Sequence, residues 1–561
     1  PDYKNKQRER IMPAINENLQ TLTGAKIVLE TLKTLGVDSV FGYPGGIVLS
    51  VYDELFKQND IKHYLVRHEQ AAVHAAEGYA RVSGKCGVAL VTSGPGATNI
   101  VTGLANAYLD GYPLVVLTGQ VSAELIGKDA FQEVNIIDIT KSCTKKNFQV
   151  TNVNDLEATL VEAFHTAMSD KQGPVVVDLA KNIFSETCSF EPKVEYTVSK
   201  TVASDISVDE ALEAICSAKR PVIVAGGGII QSEASEEVQR FAKLLNIPVV
   251  NTMMGLGTYP QNDKNYLGMI GLFGNPSANQ LLRESDLIFA IGARFNDRIR
   301  CCFQNNELAR KLVHLDINEN EISRIIPAAI PVIGDAKYVL NKMISAFMSG
   351  KFKNDSLENK NWIQRVEELK FKKVSYSKKS ELLHSFEVME IINEYTKDLN
   401  PVITTEVGQH QVWASRLFTF NKPRKFITSG GSGTMGFGFP ASIGACAAND
   451  FQPVICITGD GSLQMNIQEL MTCVDYNLPV KVLIFNNGYL GMVRQLQEKM
   501  CGGRYSQTKI SNPDFLKIAE AYGIKAKRVE FKDDIIPSLK EAFEYNGPYI
   551  IDFVIEPMEI L

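Results

Sequence analysis

The chain reads Gly459-Asp460-Gly461-Ser462 after one apolar run and Asn486-Asn487-Gly488-Tyr489 after the next, with Asn487 27 residues beyond Asp460. This repeated strand end constrains the fold more than any other feature. Residues 453–458 (PVICIT) and 478–485 read as buried strands, and residues 466–475 between them read as helical. A strand–helix–strand unit makes the two strands parallel neighbours. It brings both turns to one sheet edge, where α/β sheets bind ligands. Glycines there let backbone approach a phosphate closely. A carboxylate from Asp460, an amide oxygen from Asn487 and phosphate oxygens make a hard, all-oxygen shell suited to Mg²⁺. The spacing therefore predicts a diphosphate held through a divalent cation, where a glycine corner alone would predict only a turn.

At 561 residues the chain exceeds what one core usually supports, so about three domains are expected. Three blocks alternate strand and helix patterns, at 21–183, 204–349 and 381–554. Such alternation predicts an α/β protein of three doubly wound, mainly parallel-sheet domains. In the first block, helical patterns at 24–35 and 69–82 alternate with strands at 88–92, 114–118 and 175–179. In the second, strands are expected at 221–225, 248–251, 287–291 and 312–315. Residues 185–202 and the Lys/Glu-rich run 351–379 read as linkers, the second also as a solvated helix face. The domains are drawn at 1–185 (with 1–20 as an extension), 186–350 and 381–561, with 351–380 as a linker.

A net charge of −6 gives no reason to expect nucleic acid or an anionic membrane as partner. No apolar run approaches the ~18 residues of a membrane span, and the polar run 1–17 does not read as a signal peptide. Ten scattered cysteines without a CxxC pair are expected to be reduced and packed, as in a cytoplasmic protein.

In the first block Gly42-Tyr43-Pro44-Gly45-Gly46 follows a short strand, and Arg67-His68-Glu69-Gln70-Ala71-Ala72 opens a helix. On these residues alone Glu69 reads first as a first-turn Glu favoured by the helix dipole. A carboxyl among small and apolar neighbours, raised in pKa by desolvation and able to shuttle a proton, is the alternative.

These segments, with Thr92-Ser93-Gly94-Pro95-Gly96-Ala97-Thr98-Asn99, resemble a thiamine-diphosphate enzyme. The segments Gly408-Gln409-His410-Gln411, Thr428 to Gly436 (TSGGSGTMG) and Gln464 to Leu470 (QMNIQEL) narrow the resemblance to the acetohydroxyacid (acetolactate) synthase catalytic subunit family, from about residue 21 to 555. The resemblance implies a pyrimidine-binding first domain, an FAD-binding middle domain and a diphosphate/Mg²⁺-binding third. It implies Asp460, Asn487 and the backbone oxygen of Tyr489 as metal ligands. Glu69 would hydrogen-bond the cofactor's aminopyrimidine, and Met435 would be the wedge that bends the cofactor. Phe131, Gln132 and Lys181 match residues lining the donor site. The implied thiamine diphosphate contacts are Pro44, Gly45, Asn99, Val407, Gly408, Gln409, His410, Gly433, Met435, Gly459, Asp460, Gly461, Ser462, Asn487, Tyr489, Leu490, Gly491 and Met492. The implied FAD contacts are Gly226, Gly227, Gly228, Thr252, Met253, Met254, Gly268, Leu272, Phe273, Arg294, Asn296, Arg298, Asp316, Ile317 and Asp335, the last toward adenine or ribose. In this family Glu69 and the diphosphate site come from different subunits, which implies at least a homodimer. A regulatory subunit is a further implied partner.

The chain departs from its relatives at what would be the acceptor channel. Ile47 stands for Ala, Ser122 for Pro, Lys128 for Thr, and Leu272-Phe273 for a Met-His pair, while Asn296 replaces Asp. Leu496 stands where a Trp is expected, which removes a flat contact worth about 1–2 kcal/mol toward a longer keto acid. On the donor side, otherwise matched, Ala180 replaces a Pro before Lys181. The expected function is a carboligase that decarboxylates pyruvate and transfers the two-carbon unit to a second keto acid, giving 2-acetolactate. An alternative keeps the donor step but uses another ketone, such as a nucleotide-activated 4-keto-deoxysugar. An FAD-dependent pyruvate oxidase is a third reading.

Overall fold

A computed structural model describes residues 20–191, 198–303, 312–353, 360–370, 376, 378 and 380–561. Three six-stranded parallel sheets form its body. Their strands are continuous Val/Ile/Leu runs because helices cover both faces, as in Val454–Gly459 and Leu114–Gln120.

The first sheet runs in the spatial order Lys62–Leu65, Ser39–Gly42, Gly87–Val91, Leu114–Gln120, Pro174–Ala180, Lys146–Val150. The third repeats that winding with Phe426–Ile427, Val402–Thr405, Val454–Gly459, Val480–Asn486, Tyr549–Val554 and Lys525–Val529. Numbered within each domain, both read 2-1-3-4-6-5, so each has a crevice between its first and third strands where the winding reverses. The middle sheet runs Tyr266–Met269, Val249–Asn251, Pro221–Ala225, Leu287–Ile291, Leu312–Asp316, Ile330–Ile333. This is the 3-2-1-4-5-6 order of dinucleotide-binding sheets, with its reversal between Pro221–Ala225 and Leu287–Ile291.

The first and third domains lock together through the helices Glu69–Ser83 and Gly438–Ala448. Gly78 lies against the Ala441 carbonyl and Gly444 against that of Ala75, so neither position has room for a Cβ. The two backbones can cross this closely only because both are glycine. The first of these helices is capped by His68, whose Nδ1 accepts the Gln70 amide at 3.1 Å, and stops at Gly84 with φ 77°.

Two expectations are corrected. Residues 185–202 are not wholly a linker: Thr187–Phe190 is a strand pairing antiparallel with Gln20–Thr23, while 192–197 lie outside the described residues. The run 351–379 is not a solvated linker throughout, although 354–359, 371–375, 377 and 379 lie outside the described residues. Helix Lys360–Lys370 packs on the middle domain. Trp362, Val366 and Leu369, at i, i+4 and i+7, are buried, and Trp362 Nε1 donates to the Pro221 carbonyl at 3.2 Å. All ten cysteines are free thiols, seven of them buried. Among the described residues no helix is long and apolar enough to cross a membrane.

Candidate active site

The third domain assembles most of its expected residues at the reversal of its sheet. Strand Val402–Thr405 ends in Glu406, Val407 and Gly408, and Gln409 and His410 open the next helix. Beside it, strand Val454–Gly459 runs into the short helix Asp460–Leu463, which holds Gly461 and Ser462. The neighbouring strand Val480–Asn486 delivers Asn487. The Asp460 carboxylate is buried and already oriented. Its Oδ2 accepts the Gly488 amide at 2.8 Å and Asn512 Nδ2 at 2.7 Å, while Oδ1 accepts the Gly461 amide at 3.0 Å. Burial raises its pKa against the pull of these donors. Asn487 Oδ1 accepts the Tyr489 amide at 2.9 Å, so Asn487, Gly488 and Tyr489 form one tight turn facing Asp460.

The flanking residues close on this centre. Leu490 lies over Gly461, where a Cβ would sit 3.0 Å from its Cδ2 and 3.9 Å from the Met435 methyl. Gly491 abuts Gln409 and Asn487, and Met492 follows in helix Gly491–Cys501. Val407 faces Gly433, and His410 packs against Gly408 and Gly459.

Several partners here were not expected from the sequence. Glu406, fully buried, accepts the Thr458 hydroxyl at 2.7 Å and the Gly438 amide at 3.1 Å, and His410 Nε2 lies 3.1 Å from it. A lone acidic residue at the end of an apolar strand was the available signal. Asn512 carried no signal, since it meets Asp460 only in the folded chain. The loop carrying Gly433 and Met435 is fastened from the first domain. Asn106 Oδ1 accepts the Ser429 and Thr434 hydroxyls, and Asp110 accepts the Gly430 and Gly431 amides. Asn106 and Asp110 are held in turn by the buried Glu77 and Arg81.

In the first domain, Pro44 and Gly45 turn at the sheet reversal, with Gly45 pressed on Thr92. Glu69 is half-buried. Its Oε2 accepts Asn99 Nδ2 at 2.9 Å, and its Oε1 looks onto Gly96, 3.3 Å from where a Cβ would be. Gln132, at φ 60°, packs against Gly94, while Phe131 is 88% exposed. The loop before them is tied by Glu133, whose carboxylate accepts the amides of Gly127, Lys128 and Ala130. Those amides, Gly127 first, hold its pKa below the usual carboxylate range. Lys128 is exposed, Ser122 is half-buried, and Ile47 packs against Gly119.

Not all expected residues meet. Lys181, at the end of strand Pro174–Ala180, is exposed and has no hydrogen bond or ion pair with Glu69 or Gln132 among the described residues. Nor does any hydrogen bond among the described residues join Glu69 to the Asp460–Met492 region.

In the middle domain, a cavity of about 390 Å³ opens at the sheet reversal, lined by the turns after Pro221–Ala225 and Leu287–Ile291. Gly227, Gly228, Thr252, Met253, Met254, Leu272, Phe273, Arg294, Asn296, Arg298, Asp316, Ile317 and Asp335 all border it. Gly226 and Gly268 do not. Gly226 is pressed on the Gly292 backbone and Gly268 on the Asn275 side chain, so both are packing glycines. Burial raises the Asp316 pKa to about 6. Asp335 is already engaged: it accepts the Tyr338 amide at 3.0 Å as a helix cap and the Ser232 hydroxyl at 2.7 Å, and it pairs with Lys200. Val407, Gly433, Met492 and Leu496 border the same cavity, which therefore reaches the edge of the Asp460 site.

Comparison with known proteins agrees with this division. Family models for the thiamine pyrophosphate enzymes match all three units: the N-terminal TPP binding domain at 22–139, the central domain at 208–343 and the C-terminal TPP binding domain at 406–553. The acetolactate synthase large subunit of Haemophilus influenzae is 41% identical over 550 residues, 96% of each chain. The acetolactate synthase isozyme 3 large subunit of Escherichia coli is 42% identical over 557 residues, again 96% of each. A probable acetolactate synthase large subunit of Methanocaldococcus jannaschii is 43% identical over 554 residues, 96% of this chain and 93% of that protein. The chain belongs to the acetolactate synthase large subunit family of thiamine pyrophosphate enzymes.

Proposed function

We propose that this chain forms 2-acetolactate from two molecules of pyruvate, as a thiamine-diphosphate-, Mg²⁺- and FAD-binding carboligase of the cytoplasm. The observation that carries the reading is the buried Asp460 carboxylate turned onto the Asn487–Tyr489 turn at the sheet reversal, in a chain alike end to end to acetolactate synthase large subunits. One buried carboxylate beside an amide oxygen suits a hard divalent cation bridged to a diphosphate. Among the described residues there is no cluster of three or more His, Cys, Asp or Glu side chains that would hold a metal without such a ligand.

In this reading Asp460 and Asn487, with the Tyr489 carbonyl, would hold Mg²⁺ and through it a diphosphate. Gly433, Met435, Leu490 and Met492 would line the site of the rest of the cofactor. Bound thiamine diphosphate supplies the carbon nucleophile and the electron sink for decarboxylation. Glu69 holds a proton at the aminopyrimidine edge, steadied by Asn99. Phe131, Gln132 and Lys181 flank the donor, and Ile47, Ser122, Lys128 and Leu496 border the route of the acceptor. The dinucleotide strand order, the glycine turns and the two arginines of the middle cavity support FAD there.

The half-buried Glu69 and the 88% exposed Phe131 of the same domain support completion of the site by the Asp460 half of a second copy. Relatives designated large subunits support a smaller regulatory chain as a further partner. The test is incubation of the purified protein with pyruvate alone, with acetolactate measured as acetoin after acid treatment. Acetolactate that depends on added thiamine diphosphate and Mg²⁺ is expected. Absence of product, with consumption of pyruvate only when a keto-sugar nucleotide is added, overturns the reading.

A further inference from the structure

We propose that Glu469 is a positioning residue for Glu69, clamping from the third domain the turn that presents Glu69 in the first. This rests on the role given to Glu69 above.

The turn Leu65–Glu69 joins a strand that ends at Leu65 to a helix that starts at Glu69. Within the first domain the Val66 amide reaches the Gly42 carbonyl and the His68 carbonyl accepts the Ala72 amide. The Leu65 and Arg67 amides are taken by the third domain. Glu469, fully buried, accepts the Arg67 amide through both oxygens, at 2.9 Å to Oε1 and 3.1 Å to Oε2. The Thr472 hydroxyl bonds to Glu469 Oε2 at 2.8 Å and to the Leu65 carbonyl at 3.1 Å. Tyr476 accepts the Leu65 amide at 2.8 Å, and Asp475 pairs with the Arg67 guanidinium. Every one of these partners comes from residues 469–476, the segment just after the Asp460 turn, about 400 positions away in sequence.

Glu469 is the centre of the clamp. It is the only carboxylate that meets the turn's backbone among the described residues, and it lies at the amino end of the helix beginning with Glu69, where negative charge is favoured. Its place in QMNIQEL, beyond the metal turn, would otherwise pass for packing. A buried carboxylate that accepts two bonds from one amide fixes the direction of that peptide, and with it the point from which the Glu69 side chain departs. Replacement by Gln turns an NH₂ group toward an NH donor, leaving the fold's apolar contacts in place.

The experiment has two arms. In the first, amide hydrogen exchange is followed by mass spectrometry on the whole cofactor-free protein, reading the peptide that spans residues 65–70. Glu469→Gln is expected to speed exchange there by about tenfold or more, as loss of a charge-assisted bond implies, with Thr472→Val giving a smaller increase. In the second, exchange of the cofactor's C2 proton for deuterium is followed by NMR on the loaded protein. Glu469→Gln is expected to slow it by about tenfold while thiamine diphosphate affinity stays within about threefold, and Glu469→Asp is expected to recover part of the rate.

Unchanged amide protection overturns the clamp. So does a loss of C2 exchange matched by an equal loss of cofactor affinity. If Glu469→Gln does not fold, Thr472→Val is read in both arms by the same criteria. Glu69→Gln is the control: wild-type C2 exchange in that variant would overturn the role of Glu69, while the cofactor-free arm would still judge the clamp.

Discussion

The amino-terminal and carboxy-terminal domains wind their sheets in the same order but finish the ligand-binding edge differently. In the third domain, Glu406 and Asp460 are buried and satisfied by hydrogen bonds from their own domain before any ligand arrives. In the first, Glu69 is half-buried, with Asn99 as its one side-chain partner among the described residues, and Phe131 of the same domain is 88% exposed. The same topology thus yields one preorganised edge and one open edge. The preorganised edge suits a group that must be gripped rigidly, such as a metal-bridged diphosphate. The open edge suits a surface that is completed by docking. The duplicated winding lets one chain carry both edges, and their different finishes fit the division of labour proposed above.

That contrast can be broken experimentally. The largest effect is expected from Asp460→Ala, which should cut acetolactate formation by about 100-fold or more and release the cofactor on gel filtration. Glu69→Ala should lose activity comparably yet retain thiamine diphosphate. Release of the cofactor by both variants would end the proposed division of labour. Next comes Asp110→Ala, which leaves the buried Arg81 with one carboxylate and the Gly430–Gly431 amides without acceptors. A loss of about 3 kcal/mol in urea unfolding is expected, with flavin lost early in the transition. Glu406→Gln should cost about 1–3 kcal/mol, read as a lowered melting temperature, because an amide cannot accept all that this carboxylate accepts. An unchanged melting temperature would show that the third domain is less preorganised than its hydrogen bonds imply. The smallest effect is at the shared cavity. Leu496→Trp should raise the preference for 2-ketobutyrate over pyruvate as acceptor by about tenfold in a competition assay, from the added apolar contact.

How much was legible in the sequence follows from where each signal resides. Strands Pro221–Ala225 and Leu287–Ile291 were readable to the residue because unbroken apolar runs there end abruptly in glycine. Asp460 and Asn487 were readable because a parallel strand pair maps their sequence spacing onto spatial neighbours. Helix Lys360–Lys370 was misjudged because its lysines and glutamates outweighed a three-residue apolar stripe. Glu469, Asn512 and Asp110 were invisible for a different reason. Each acts on backbone or side chains that the fold brings from elsewhere, and a single acidic or amide residue at a helix end or in a loop has no local pattern to mark such a partner.

Whether the open edge of one copy and the preorganised edge of another make one site is decided by complementation. Glu69→Gln and Asp460→Asn variants, each inactive alone, are co-expressed and the mixed protein is assayed with pyruvate. A site spanning two copies predicts recovery of about a quarter of wild-type activity, since half the dimers are mixed and each mixed dimer has one intact site. Activity no higher than that of either variant alone, in a sample shown by mass spectrometry to contain mixed dimers, would contradict it.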